Sequence, residues 1–459
     1  LAKKSSVFIA AVCGALLVWS FGWGFSQRRA LIAKSFDDRR LALLETENER
    51  LRGVIASQDK AKALGENNAG RGQIERAVAE LRGMSFLHPV TYDVLTRAGI
   101  RQIVDEKLNE QFSEEEFKNI GLGLSALGLL PRDYPLKQKY IELLGEQIAA
   151  FYDQHQHKLF MFEDASLSNA QNRIILAHEL THALQDQHFD LLKMPIELKN
   201  NDDRALAASA LIEGDATLVM SQYMLQDLSL GGLTQNLSGA LSQNMKQLQD
   251  APRYLREMLI FPYLRGQEFC TALLEGGGRA ALDAAFKNPP SSTSQVLHPE
   301  KFLTEPGEEP VEIDFGDTTL NGEKPLADNV LGEAGIRILL SEFNDPKKSE
   351  DIASGWRGDR YLVFKNGDAL IWKTAWRDFK SAAAFCEALR PGLEKRYGVK
   401  IEPLGSNQSG NSVRDSSRVL RVSLDPATNQ VVLLDAKDEQ SLLFLVEFLK
   451  SRVSSPGSE

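Results

Sequence analysis

The stretch Ala177-His178-Glu179-Leu180-Thr181-His182-Ala183 constrains this chain more than any other. Apolar residues flank it, and their spacing predicts one helix from about Asn169 to Gln187. Residues four apart lie on one helix face, so His178 and His182 can present two imidazoles to a single metal ion. Glu179, next to the first of them, can reach a water on that ion. Zn²⁺ takes neutral imidazole nitrogens and, in catalytic sites, keeps one position open for water. The pKa of that water falls to roughly 7, and a neighbouring carboxylate can then take its proton. The competing reading is an amphipathic helix with two unrelated histidines. Histidine is scarce, however: of 7 in 459 residues, three fall between positions 178 and 188.

The chain is 43% hydrophobic and 25% charged, which suits a globular protein with ample core, divided into two folded domains plus extensions. A formal net charge of −10 gives no electrostatic footprint for nucleic acid. Cys13, Cys270 and Cys386 are too few for a disulfide framework and show no C-x-x-C spacing. A Cys270–Cys386 bridge is conceivable; two buried thiols are the simpler reading.

Near the amino end, Val7–Phe25 is a run of 19 residues without a charge, with Trp19 and Trp23 towards one end. That length just spans a hydrocarbon core, and indoles favour its interface. The reading is a single-pass membrane anchor over 1–27 rather than a cleaved signal, because no small-x-small cleavage site follows. Residues 28–72 then read as a helical stalk and linker. Leu41, Leu44, Asn48, Leu51 and Ile55 recur at coiled-coil spacing, which offers a route to a homodimer. The folded body is expected outside the cytoplasm, although Arg28, Arg29 and Lys34 balance Lys3 and Lys4, so the positive-inside rule separates the orientations poorly.

The body is expected over 73–303. Helices are predicted across 73–123, with Ser113 and Glu116 as a capping box, and again from Leu136 to Phe151. Lys158–Phe162 reads as a strand, and His155 and His157 as solvated turn residues. A helix from about Asp203 to Asp227 carries Glu213 among Ser209, Ala210, Ala216 and Thr217, small residues that permit close helix approach. A buried Glu in that setting needs a partner, and metal is a good one. Its rival as third ligand is His188. His178, His182 and His188 match a three-histidine spacing, but that pattern needs Gly where Gln185 stands. Glu213 is the favoured choice. Further on, helices are expected on either side of a break near Gly266, followed by a loop at 288–298. His298 in that loop could donate to the oxyanion of a tetrahedral intermediate, with Tyr263 a weaker candidate for the same task.

From His178 to Asp186 the sequence resembles the zinc helix of thermolysin-like peptidases, in which His-Glu-Leu-Thr-His-Ala is followed three residues on by Asp. The wider chain is similar to a group of bacterial zincin-like membrane proteins. The likeness rests on Glu146-Gln-Ile-Ala-Ala-Phe-Tyr-Asp153, His178 to Asp190, Glu213-Gly-Asp215 and Ser292-Thr-Ser-Gln-Val-Leu-His-Pro-Glu-Lys301, and covers most of 120–375. It implies a zincin-like fold, zinc held by His178, His182 and Glu213, Glu179 as the base, and Asp186 as a carboxylate that fixes the imidazoles. Thermolysin-like proteins carry Asp four residues after the ligand Glu. Here that position is Thr217, and Asp215 lies two after, which leaves its role open.

Residues 304–329 read as a Pro-, Gly- and acid-rich linker or surface loop, and 325–459 as a smaller α+β domain. Its expected parts are a helix from Leu331 to Phe343, strand pairs near 360–374 and 419–434, and helices near 380–397 and 439–452. Asn366-Gly367 marks a hairpin, Gly355–Arg360 a packed turn rather than a ligand loop, and 405–417 a polar disordered stretch. The fold class expected is α+β, mostly helical. The function expected is zinc-dependent hydrolysis of peptide bonds in a protein or peptide substrate. The alternatives are a non-catalytic zinc-binding scaffold and a zinc amidase acting on a non-protein amide such as cell wall.

Overall fold

The computed structural model describes residues 70–96, 100–145, 150–163, 165–227, 250–304, 306–320, 322–364, 368–402, 411–414 and 418–453. The expected anchor, and the expected stalk up to residue 69, lie outside them, as do Glu146 and the Asn366-Gly367 turn. Among the described residues no helix is long and apolar enough to cross a membrane.

The fold is α+β and mostly helical, with two sheets. Residues 70–82 form α1. Then come β1 (Thr91–Leu95), α2 (Ile100–Gln111), α3 (Glu114–Ala126), α4 (Leu136–Gly145), β2 (Ala150–Asp153) and β3 (Lys158–Phe162). Three long helices follow: α5 (Ala170–Phe189), α6 (Asp202–Asp227) and α7 (Arg253–Lys287). Short α8 (Thr293–Leu297) and α9 (Pro299–Leu303) lead into the carboxyl-terminal part. That part contains β4 (Ala327–Asn329), α10 (Gly332–Ser341), α11 (Pro346–Ala353), β5 (Trp356–Phe364), β6 (Ala369–Trp376), α12 (Phe379–Tyr397), β7 (Asn411–Arg414), β8 (Val419–Asp425), β9 (Gln430–Ala436) and α13 (Glu439–Val453).

The first sheet has the order β1-β3-β2, with β1 parallel and β2 antiparallel to β3. Two helical expectations give way here. β1 lies inside the stretch read as helices, and Ala150 and Phe151 open β2 instead of closing a helix. Such short segments carry little periodic signal, and tertiary pairing decides their state. Phe151 sits opposite Phe160 and stacks on it with ring centroids 4.9 Å apart, a contact available only to a hairpin.

α7 corrects a third expectation, because the helix runs through Gly266 without a break. Gly266 is where α6 crosses α7. A Cβ on Gly214 would lie 2.1 Å from the Gly266 carbonyl carbon, and one on Gly266 would lie 2.0 Å from the Ala210 oxygen. Only two glycines allow these backbones to meet, and this crossing fixes where Glu213 sits. The irregularity in α7 falls at Gly278, at φ 66°.

The second sheet has the order β4-β5-β6-β9-β8-β7, antiparallel throughout. It contains two β-β-α units, β5-β6-α12 and β8-β9-α13, joined where β6 pairs with β9. Asp378 accepts from the Ser381 amide and Asp438 from the Ser441 amide, both at 2.7 Å, so the same Asp-x-x-Ser cap starts each unit's helix. Alternation along the strands sends Leu370 and Trp372 to one face with Phe385 of α12, and Ile371 to the other with Leu445 of α13. The expected linker at 304–329 is partly a strap: its Ile313, Phe315 and Leu320 pack on the α13 face. Trp356–Arg360 is strand rather than turn, and β7 falls within the stretch expected to be disordered. Cys270 and Cys386 are buried free thiols. The largest core runs without interruption from Phe117, Leu124 and Phe160 to Trp372, Phe385 and Leu433, so the helical body and the second sheet share an interior.

Candidate metal centre

α5 is buried on all sides from Ile174 to Asp186. Asn169 caps its start by accepting from the Gln171 amide. α6 runs antiparallel to α5. Arg173, early in α5, pairs with Asp227 at the end of α6 at 2.7 Å, and Gln185, late in α5, donates to the Ile212 carbonyl at 3.0 Å. Between these two ties Glu213 meets the histidines.

The Nε2 atoms of His178 and His182 are 3.0 Å apart, and Glu213 Oε2 lies 3.1 Å from the first and 3.5 Å from the second. Among the described residues, this is the one group of three or more such side chains whose ligand atoms all lie within 4.8 Å of one another. Ligands at about 2.0–2.1 Å from a tetrahedral Zn²⁺ stand about 3.3 Å apart, so the three separations match its edges. Two imidazoles and a carboxylate are a zinc-type donor set. All three residues are at most 1% exposed, and Glu213 Oε1 has no hydrogen-bond partner.

The charges are interlocked. Burial pushes the His178 pKa down, with the Glu213 carboxylate opposing it. Burial also works against charge on His182, but Glu213, Glu179 and Gln185 outweigh it and hold that imidazole up to about 9. Burial alone would raise Glu213; the two imidazoles overcome it and bring the carboxyl down to about 2. The buried Glu213 carboxylate is thus held against one positive charge, on His182.

Behind the ligands stands a chain of polar groups that the sequence reading did not assign. His182 Nδ1 is 3.0 Å from Gln185 Oε1. The Gln185 amide nitrogen donates to the Ile212 carbonyl and, at 2.9 Å, to Asp215. That orientation makes its oxygen the acceptor, so the neutral His182 that a metal ion would require would carry its proton on Nδ1 and present Nε2 to the centre. Asp215 in turn accepts from Arg82 of α1 at 2.9 Å, and Arg82 reaches Asp283 of α7 at 2.7 Å. Gln185 is thus the residue that orients His182, and Asp215 holds Gln185.

Glu179 is 0% exposed. Its Oε2 accepts the Tyr152 amide of β2 at 2.9 Å, and its Oε1 has no hydrogen-bond partner. Burial pushes Glu179 up to about 8, against the pull of His182. The Tyr263 ring lies against His178, with centroids 6.2 Å apart.

The remaining candidates lie elsewhere. α5 continues unbroken past Gln185, so His188 stays on the helix and bonds to the Ser85 carbonyl at 2.8 Å. Asp186 accepts from the Tyr152 hydroxyl and the Leu191 amide and pairs with His157; the imidazole-fixing carboxylate implied by the family likeness is replaced here by Gln185. His298 is engaged with Glu333 at 2.6 Å and is not brought to the three ligands.

A family model described as a domain of unknown function (DUF8575) matches residues 319–443, the stretch from the strap to the start of α13, which contains none of His178, Glu179, His182 or Glu213. No curated protein and no solved structure matches the chain.

Proposed function

We propose that the protein is a zinc-dependent, zincin-like peptidase, tethered to a membrane by the Val7–Phe25 run, with His178, His182 and Glu213 as the metal ligands. The observation that carries this reading is Glu179, one residue from the first ligand, with one oxygen tied to the Tyr152 amide and the other without a partner. A purely structural site has no use for such a carboxylate. An ion bound there supplies Lewis acidity to water and to a substrate carbonyl. Glu179 Oε1 takes the proton from the attacking water and passes it to the leaving amine. Its tie to the Tyr152 amide holds the group in place for both transfers. Gln185 keeps the His182 tautomer fixed throughout.

A second reading, a non-catalytic zinc-binding scaffold, is favoured by the burial of the same groups: Glu179 and Glu213 are both 0% exposed. Peptidase action requires a substrate to reach these buried groups. The test is turnover of a peptide library by the full chain, with cell-wall polymer as a second substrate. Expected is peptide cleavage that stops on chelation and returns with Zn²⁺. Cleavage of the polymer alone would favour the amidase, and zinc binding without any turnover would favour the scaffold.

A further inference from the structure

A half-open cavity of about 500 Å³ lies between the helical body and the second sheet. Leu122 of α3, Leu339 of α10, Leu389 and Leu393 of α12, Leu370 of β6 and Leu433 of β9 give it an apolar interior. Its volume is in the range of small-molecule sites. None of the metal-centre residues lines it, so it stands independently of the proposed peptidase.

One end is cationic. Arg418 Nε donates to Asp435 at 2.7 Å, and Arg396 lies 3.4 Å from the other Asp435 oxygen. Arg418 also donates to the Asp368 carbonyl, and Arg132 lies 3.8 Å from the Asp368 carboxylate. Three guanidiniums thus converge on two carboxylates and leave one net positive charge, in a chain whose total is −10. Exposed Lys395 lines the same cavity and adds to that sign. Beside them the buried Tyr397 hydroxyl faces the Asp435 carboxylate. Burial and the neighbouring Asp435 carboxylate, which accepts from it, keep this phenol protonated.

We propose that this cavity binds the monoanion of a single-chain amphiphile, a long-chain carboxylate whose chain lies among the leucines and whose head lies among Arg132, Arg396, Arg418 and Tyr397. A small anion would leave the apolar space unfilled, a neutral chain would leave the charge unmatched, and a cationic head would be repelled. A carboxylate supplies the missing negative charge.

The test is equilibrium dialysis of the delipidated full chain against radiolabelled palmitate, with hexadecylamine, hexadecanol, acetate and lysophosphatidate as competitors. Expected is one palmitate per chain, displaced by neither acetate nor hexadecylamine. Arg132→Glu, at an exposed position, should weaken palmitate by at least about tenfold, because it removes one partly screened attraction and adds a repulsion. Leu393→Trp, which fills the interior, should weaken it at least as much. Equal affinity for hexadecylamine and palmitate, or unchanged binding in both variants, would overturn the proposal. Tighter binding of lysophosphatidate would overturn the carboxylate head. An apolar peptide that displaces palmitate through its terminal carboxylate at lower concentration would move the site to a protein partner. Should a variant fail to fold, seen by its melting curve, the wild-type comparison of head groups decides alone.

Discussion

Gln185 shows how a side chain can be read for what it excludes while its own role goes unassigned. Its absence of conformational freedom argues against a chain reversal toward His188, and the helix does continue through it. Its positive role follows from spacing just as simple: it stands three residues after His182, on the same face, and its oxygen meets Nδ1 at 3.0 Å. Replacing it with Leu removes the group that fixes the tautomer. Gln185→Leu should lower zinc affinity roughly 10–100-fold, the usual cost of losing an outer partner, as measured by competition with a chromogenic chelator. An unchanged affinity would mean that His182 is oriented by packing alone. The third ligand is tested separately: elemental analysis of Glu213→Ala should find zinc lost, and of His188→Ala zinc retained near one per chain, the stoichiometry of a single site of this type. The opposite pair of results would assign the site to three histidines.

Between elements, legibility falls with sequence distance. The helix that carries His178 and His182 was readable because the spacing of its residues is local. The crossing of α6 and α7 was not, because a glycine inside a helix looks like a break until the backbone it admits is known. Arg82 carried no signal at all: its partner Asp215 is 133 residues away. That buried pair ties α1 to the helix bearing Glu213, and removing one member leaves the other charge stranded. Arg82→Met should cost about 3–5 kcal/mol in urea unfolding, and the double variant with Asp215→Leu should recover part of that loss.

Asp203 ties the start of α6 to the carboxyl-terminal part. It accepts from the Thr293 amide at 3.1 Å and from the Thr293 hydroxyl, which itself accepts the Ala334 amide. Burial raises its pKa to about 7; the Thr293 hydrogen bonds oppose the shift, and the Asp359 and Glu333 charges add to it. The folded state therefore binds a proton that the unfolded chain, near 3.8, has released. Stability from this residue is full below that lower value and is lost as the pH rises towards 7. Asp203→Asn should flatten the decline in unfolding free energy across that window; an unaltered slope would show that Asp203 ionises normally in the folded protein.

At the scale of the whole molecule, the union of the helical body with the second sheet was not legible. The core that joins Phe117 and Phe160 to Trp372 and Leu433 is assembled from segments more than two hundred residues apart, and no periodicity reports such a contact. Nor does the sequence report that the Tyr152 amide of β2 meets Glu179, since that follows from the pairing of a four-residue strand. A closed centre and a hydrolytic base are reconciled only if the molecule opens to substrate. The decisive measurement is therefore peptide turnover by wild type and Glu179→Gln at equal zinc content. Gln keeps the shape of Glu and cannot take a proton from water. Expected is cleavage by wild type and a loss of roughly 10²–10⁴-fold in the variant, the contribution of a general base, with zinc and fold retained. Equal cleavage by the two proteins would contradict the role given to Glu179 and the peptidase mechanism with it.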